Sequence, residues 1–280
     1  MRNSIEVFKM PREGRNGRPI IACSSYLQSG LIWFIRRSLQ KRIHGQVSHS
    51  MPAKVQNESY GTAAIRPFFP DGARGETDIM HGTGTKVVAF NGSARKGGNT
   101  AILLRTVLKE LEAEGIETEL IELSGAKIHG CLACRECSKR KDHRCGQTND
   151  MGNAYIEKME AADGILLGSP TYVADISPEI KALMDRACLV SKANGGIFRR
   201  KVGAAVVAVR RAGAIHAFDA LNHFFLISEM IVPGSSYWNI GYGLEIGDVE
   251  KDEEGMQTMK TLGRNMAWLL KKIKNQAESL

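Results

Sequence analysis

Four of the chain's six cysteines lie close together, as two successive C-x-x-C steps with a fourth cysteine after seven intervening residues. Such spacing wraps a short backbone around one centre, and ferredoxin-type loops that hold an iron–sulfur cluster open with the same C-x2-C-x2-C pattern. Zinc ribbons more often separate their C-x-x-C pairs by about 15 to 20 residues. We expect a [4Fe-4S] cluster here, with free or redox-active thiols, zinc or a disulfide as the open alternatives. The expected ligands are Cys131, Cys134, Cys137 and Cys145.

A second segment suited to chemistry covers residues 86–100. Residues 86–90 are an apolar run typical of a buried central strand, and a loop rich in glycine and hydroxyl groups follows. Asn99 is a favourable N-cap for a helix over residues 101–111. This arrangement points backbone N–H groups and the positive end of a helix dipole at one spot, which favours a phosphate. The expected phosphate ligands are Ser93, Arg95, Gly98, Asn99 and Thr100.

The loop contains neither G-x-G-x-x-G nor G-x-x-x-x-G-K-[ST], so it is not a dinucleotide fingerprint or a Walker loop. A βα turn that binds nothing is the alternative. The pattern N-G-S-x-R-x-x-G-N-T at residues 91–100 resembles the FMN-phosphate loop of the flavodoxin-like NAD(P)H-dependent FMN reductases. The resemblance extends over about residues 86–280 and implies bound FMN with NAD(P)H as co-substrate. Because the flavin carries the hydride chemistry, no catalytic side chain is expected.

Two more loops are expected to contact the flavin ring. Residues 170–173, Pro-Thr-Tyr-Val, resemble the P-x-Y loop of the same reductases, and Tyr172 offers an aromatic face or a hydroxyl group. Arg210, Arg211 and Gly213 match the position of the family's third flavin loop. The alternatives are a plain surface tyrosine and two exposed arginines on a turn. The expected ring contacts are Pro170, Thr171, Tyr172, Val173, Arg210 and Gly213.

Strand and helix patterns alternate after residue 86, which indicates a doubly wound parallel sheet. We expect five strands, at about residues 86–90, 117–122, 163–168, 201–209 and 230–232. They fit the flavodoxin-like order 2-1-3-4-5, with the ligand at the carboxyl ends of the strands. A Cys-rich insertion at residues 125–150 is too long for an ordinary connection, which suggests a functional role.

Residues 1–85 differ from the rest of the chain. They hold 12 Lys and Arg against 6 Asp and Glu, so they carry +6 of the net charge of +8. We expect an N-terminal extension that is disordered or the result of a mis-called start, with Met80 as the true start. The nearly balanced remainder gives no case for nucleic-acid binding. No run suits a signal peptide or a membrane span, and clustered cysteines fit a reducing cytoplasm.

The leading functional hypothesis is an FMN-dependent oxidoreductase that takes hydride from NAD(P)H and reduces a flavin, quinone or other acceptor. The cysteine spacing resembles the iron–sulfur flavoproteins, so the alternative is an electron carrier between ferredoxin and FMN. A zinc or thiol sensor on a flavodoxin scaffold is a third, non-enzymatic hypothesis. Relatives in the family are commonly homodimers or homotetramers, and the aromatic loop at residues 233–243 suits either a subunit interface or a lid over the flavin.

Overall fold

The structure, a computed structural model, describes residues 84–277. The predictions for the N-terminal extension up to residue 83, including the start at Met80, lie outside the described residues.

The central element is a single parallel sheet of five strands in the order β2-β1-β3-β4-β5. This order and the parallel pairing confirm the predicted flavodoxin-like fold class. The strands are β1 (Lys86–Asn91), β2 (Glu117–Glu122), β3 (Gly164–Pro170), β4 (Val202–Val209) and β5 (Ile240–Tyr242).

Helices cover both faces of the sheet, and they are α1 (Asn99–Ala113), α2 (Glu136–Arg140), α3 (Gly152–Ala161), α4 (Pro178–Ala193), α5 (Ala214–Ile227) and α6 (Glu253–Ala277). A 3₁₀ helix, Asp248–Lys251, precedes α6. Helix α4 has Ser177 as its N-cap and Pro178 in its first turn, where a proline costs no hydrogen bond. No helix in residues 84–277 is long and apolar enough to span a membrane.

The strands carry continuous apolar runs because both faces of the sheet are buried. In β1, Val88 and Phe90 belong to a core shared with α3, α4 and α5, whereas Val87 and Ala89 belong to a second core under α1 and α6. Every residue of β4 is buried. The sheet edge at which the strands end is therefore held on a rigid, two-sided core.

The fifth strand is not where the sequence predicted it. Around residues 230–232, only Ile231 pairs with the sheet, through an isolated bridge to Val202. The strand itself is β5, which pairs with Val207–Val209 in a segment that was predicted to be an irregular loop. Both segments are short, and tertiary pairing decides between them.

Candidate functional site

The loop after β1, residues 92–98, forms a tight curl. Helix α1 has Gly98 as its N-cap, so the helix begins one residue earlier than the predicted cap at Asn99 implies. The Gly98 N–H donates to the Arg95 carbonyl at 3.1 Å, which closes the curl. The N–H groups of the first helical turn have no acceptor within the helix, and they lie at its positive end.

Two hydroxyl groups are buried at this loop. Ser93 is 5% exposed, its N–H donates to Asn91 Oδ1 at 3.0 Å, and its Oγ accepts from the Arg95 N–H at 3.1 Å. Thr100 is 1% exposed, and its methyl group packs over Gly168 of β3, where a Cβ would lie 3.0 Å away. Of the five predicted phosphate ligands, Ser93 is thus held by hydrogen bonds and Thr100 by packing against β3.

The side chains of Arg95 and Asn99 fasten a distant segment to this loop. Arg95 Nη1 donates to the Leu244 carbonyl at 2.8 Å. Asn99 Nδ2 donates to the Glu245 carbonyl at 2.9 Å, and Asn99 Oδ1 accepts from the Gly247 N–H at 2.9 Å. No sequence pattern indicated that residues 244–247 would lie beside the predicted phosphate site.

Sequence reasoning also missed Glu122, the last residue of β2. Its carboxylate accepts from Asn91 Nδ2 at 2.5 Å and from the Gly97 N–H at 3.3 Å, and it lies 3.6 Å from Arg105 Nη2. The parallel register places it directly beside Asn91. Its position at a strand end was the available signal. Through these hydrogen bonds Glu122 holds the loop after β1 in place.

The loop after β3 is a tight, exposed turn. The backbones of Tyr172 and Asp175 exchange hydrogen bonds of 2.8 and 3.0 Å. The two residues between them, Val173 and Ala174, both have positive φ, at +50° and +61°. Val173 is fully exposed, and Tyr172 is 40% exposed. Two of the predicted ring-contact residues, Tyr172 and Val173, therefore project from a turn whose backbone is strained, as ligand-binding loops often are.

The loop after β4 contacts the loop after β3. Gly213 has φ +87°, and a Cβ there would lie 3.0 Å from the Ala174 Cα. The N–H and Oγ1 of Thr171 both donate to the Ala208 carbonyl of β4, at 2.9 and 3.2 Å. Arg210 is exposed beside them. Glycine at position 213 is thus required by both the backbone conformation and the contact.

The three loops meet at one edge of the sheet because β1, β3 and β4 are neighbours and all end there. The Gly92 N–H donates to the Gly168 carbonyl at 2.8 Å, and a Cβ on Gly92 would lie 2.6 Å from Ser177 Oγ. The structure therefore brings the predicted phosphate residues and the predicted ring residues to the same edge, as the ligand-binding rule for open parallel sheets requires.

The connection from β2 to α3, residues 123–151, is named the cysteine loop here. It contains the short helix α2, which the sequence did not predict. Its four cysteines line one cavity of about 930 Å³, which also receives side chains of α4. Cys145 is buried, Cys134 is exposed, and Cys131 and Cys137 are half-buried. Within residues 84–277, no three His, Cys, Asp or Glu side chains are placed so that they could hold a single metal ion, so the four thiols line a shared cavity without forming a closed one-ion site.

The backbone of the cysteine loop is tightly curled. Ala133 and Arg135 have positive φ on either side of Cys134. The Ala133 N–H donates to Cys131 Sγ at 3.3 Å. Burial raises the pKa of the Cys137 thiol. The four thiols thus line one cavity but differ in their burial.

Cys145 is the most firmly held of the four. Its N–H donates to Asn153 Oδ1 at 2.7 Å, and Asn153 Nδ2 donates back to the Cys145 carbonyl at 3.1 Å. Asn153 lies in α3, one residue after the helix begins. This residue was not predicted to matter, because an asparagine near a helix start resembles an ordinary capping residue.

A buried ion pair closes the cysteine loop. Arg186 Nη1 of α4 lies 2.6 Å from Asp150 Oδ2, and both side chains are fully buried. Burial raises the pKa of Asp150, but hydrogen bonds from Arg186 and from the N–H groups of His129 and Gly152 outweigh it and hold that pKa below its usual value. The signal for Arg186 was a charged residue on the apolar face of a helix, between Leu183 and Val190.

Comparisons with known proteins agree with this geometry. The family model described as NADPH-dependent FMN reductase matches residues 85–245. A protein of Methanocaldococcus jannaschii named iron-sulfur flavoprotein is 37% identical over 196 residues, which is 68% of this chain and 99% of that protein. An iron-sulfur flavoprotein of Methanosarcina thermophila is 31% identical over 195 residues, 69% of this chain and 99% of that protein.

Solved structures confirm the fold alone, since their sequence identities are low. RosB, solved with a bound intermediate (8-demethyl-8-formylriboflavin-5'-phosphate), is similar with a TM-score of 0.56 at 17% identity, over 69% of this chain and 81% of that one. A flavone reductase is similar with a TM-score of 0.50 at 17% identity, over 68% of this chain and 64% of that one.

Proposed function

Because the chain belongs to the NADPH-dependent FMN reductase family, we propose that it takes hydride from NAD(P)H and reduces a flavin, quinone or other acceptor through bound FMN. The observation that carries this proposal is the meeting of three loops at the carboxyl edge of the sheet, with Gly213 against Ala174. FMN, when bound, supplies the hydride chemistry, so the task of the chain is to bind and orient it.

The first loop is suited to the FMN phosphate. The buried hydroxyl of Ser93 and the N–H groups of the first turn of α1 lie where a helix N-terminus favours an anion. The Arg95 guanidinium has five N–H donors and uses one of them in the hydrogen bond to the Leu244 carbonyl. Its other N–H groups are available to a phosphate. We assign the phosphate to Ser93, Arg95, Gly98, Asn99 and Thr100.

The two other loops are suited to the flavin ring. The turn at residues 170–173 presents backbone groups and the half-exposed ring of Tyr172. Arg210 adds a positive charge at the strand end, and Gly213 permits close approach of the backbone. Because the sequence has no separate dinucleotide fingerprint, the nicotinamide is expected to stack on the flavin, which requires ping-pong turnover.

The test is turnover by protein purified without oxygen and saturated with FMN. Oxidation of NADH or NADPH is followed with free flavin and with a quinone as acceptors. The proposal expects parallel lines in double-reciprocal plots as the acceptor concentration changes. FMN-saturated protein that oxidises neither nicotinamide would overturn it.

A second candidate function is electron transfer through an iron–sulfur centre. Four thiols line one cavity, and a backbone N–H already donates to Cys131 Sγ. The curated relatives described above are named iron-sulfur flavoproteins and match over nearly their full length. On this proposal Cys131, Cys134, Cys137 and Cys145 would hold a [4Fe-4S] cluster, which would supply one-electron transfer between ferredoxin and FMN.

Anaerobic purification followed by an absorption spectrum, with iron and sulfide assays, tests the second candidate. The expected result is flavin bands on a broad shoulder, with about four irons per chain. Ferredoxin-dependent reduction of the flavin without turnover of NAD(P)H would favour the carrier over the reductase. Flavin bands without iron would contradict the cluster and leave the reductase standing.

The proposal also covers the domain boundaries, the cellular compartment and the oligomeric state of the protein. Residues 86–280 form the FMN-binding domain, with the insertion at residues 125–150, and the protein works in the cytoplasm. All the cysteines among the described residues are free thiols, which suits a reducing compartment. We propose a homodimer or homotetramer in which the exposed Tyr237 and Trp238, on the β5 side of the sheet, lie at an interface. Light scattering tests the assembly, and a monomer would contradict it.

A further inference from the structure

Arg186 is a charged side chain held entirely inside the protein. It lies on α4, and both it and Asp150 are fully buried at 2.6 Å from one another. Its Nη1 also donates to the His129 carbonyl at 3.3 Å, and its Nη2 donates to the Gln147 carbonyl at 3.2 Å. A Cβ on Gly152 would lie 2.3 Å from Arg186 Cζ, so position 152 has no room for a side chain. The site is built around the guanidinium.

One N–H group of this guanidinium has no hydrogen-bond acceptor among the described residues. Among the described residues, Arg186 Nε is buried and has no hydrogen-bond partner. Buried N–H groups are almost always paired, and the exceptions call for an explanation. The missing acceptor has to be sought in the space that Arg186 borders, which is the cavity of the four cysteines.

Cys145 is the cysteine best placed to be that acceptor. It is the buried member of the four and lines the same cavity as Arg186. The Asn153 side chain fixes its backbone from both sides, at 2.7 and 3.1 Å, and also donates to the Gln147 carbonyl that Arg186 Nη2 contacts. Arg186 and Cys145 are therefore tied to one another through a shared, short-range network.

The charge of Arg186 counts more than that of its basic neighbours. Among the other basic residues that line the cavity, Arg135 and Lys141 are exposed and Lys192 and Arg199 are half-buried, so water and salt screen them more than Arg186, which is fully buried. Asp150 balances the charge of Arg186 while the four cysteines are thiols, and the same cysteines as the thiolate ligands of a cluster would bring further negative charge into this cavity. A buried cation beside them lowers the free energy of the anionic centre.

We propose that Arg186 is the positioning residue of the cysteine centre, where its Nε donates a hydrogen bond to the Cys145 sulfur and its charge offsets that of the thiolates. This inference rests on the proposed iron–sulfur function. Outer-shell partners of metal ligands typically change metal affinity by about 10- to 100-fold when they are removed. The same residue is expected to raise the reduction potential of the centre, because a nearby positive charge favours the more negative, reduced state.

The test compares the wild type with three variants, and all four proteins are reconstituted anaerobically with iron and sulfide. Arg186→Met alone leaves Asp150 unpaired, so the decisive variant is the double change Arg186→Met with Asp150→Asn, which removes both charges. Arg186→Lys keeps the charge, and Lys181→Met on an exposed part of the same helix is the matched control. Iron retention against a chelator, the midpoint potential and FMN content are measured for each.

The double variant is expected to keep its FMN but to hold iron about 10- to 100-fold less tightly, with a lower midpoint potential. Arg186→Lys should recover part of both, and Lys181→Met should match the wild type. Iron retention and potential in the double variant equal to those of the wild type would overturn the inference, as would an equal loss of FMN, which marks general unfolding. Wild-type protein that takes up no iron would instead contradict the cluster itself.

Discussion

Replacing Asp150 with alanine is expected to destabilise the protein more than any change to an exposed ion pair. The substitution leaves the Arg186 charge buried and unpaired, and it removes the acceptor of the His129 and Gly152 N–H groups, at 2.8 and 3.0 Å. Removing one partner of a buried pair costs about 3–5 kcal/mol. At about 2–4 °C per kcal/mol for a domain of this size, the melting temperature should fall by about 6–20 °C.

Urea unfolding followed by circular dichroism measures this free energy directly. The matched control is Asp185→Ala, which breaks the Asp185–Lys181 pair of the same helix α4, 2.5 Å apart with side chains 45% and 56% exposed. Because exposed pairs contribute about 0–1 kcal/mol, the control should lose no more than that. The double change Asp150→Ala with Arg186→Met should cost less than Asp150→Ala alone, since no buried charge is left over.

The pH dependence gives an independent check. Hydrogen bonds hold the pKa of Asp150 in the folded protein below its ordinary value of 3.8. Its contribution is therefore complete above that value and is lost as the pH falls through the lower, folded pKa. The difference between wild type and Asp150→Ala should be constant near neutral pH and shrink in acid. A loss below about 1 kcal/mol at neutral pH would refute the reasoning.

Three further predictions concern other parts of the molecule. Ser93→Ala and Arg95→Ala should each weaken FMN binding by about 10- to 100-fold in fluorescence titrations, since a hydrogen bond to a charged group contributes about 1.5–3 kcal/mol. Gly213→Ala should destabilise the protein by about 1–2 kcal/mol through its left-handed backbone, with added loss from the contact at 3.0 Å and weaker FMN binding. Lys201→Met should abolish a pH-dependent part of stability: burial lowers the pKa of Lys201 to about 8, below the ordinary 10.5, so wild-type stability rises between these two values.

Each of these has its own control. Full FMN retention in both Ser93→Ala and Arg95→Ala would overturn the phosphate assignment. Gly195 also has positive φ, at +80°, but nothing lies within 4 Å of an added Cβ, so Gly195→Ala isolates the backbone effect. Equal losses at both glycines would contradict the proposed contact. For Lys201→Met, unfolding is compared at pH 7.5 and 9.5, and an unchanged slope would disprove the shifted pKa.

The local patterns of the sequence determined the fold class. A buried strand, a glycine-rich loop and an amphipathic helix at residues 86–111 follow from the order of apolar residues and from helix capping, which are properties of neighbouring residues. The same reasoning located the turn after β3 and the clustered cysteines. These features could be predicted because the interactions that produce them span only a few residues.

The short elements could not be predicted in the same way. Residues 230–232 and 240–242 are both brief runs with too few residues to carry a period, and pairing with β4 selects the second. The N-cap of α1 is Gly98 rather than Asn99 for a related reason, because the Asn99 side chain is hydrogen-bonded to the backbone of Glu245 and Gly247. A distant segment competes there with the local cap.

The tertiary structure alone decided how the candidate sites are supported. Glu122 reaches Asn91 across 31 positions, and Arg186 reaches Asp150 across 36. No pattern of neighbouring residues encodes such contacts, since they exist only once the strands pair and α4 packs against the sheet. The sequence by itself therefore determined which residues are chemically suited to hold a phosphate and to gather thiols. The packing of distant elements decided which buried charges hold those residues in place, because burial is what makes such charges strong.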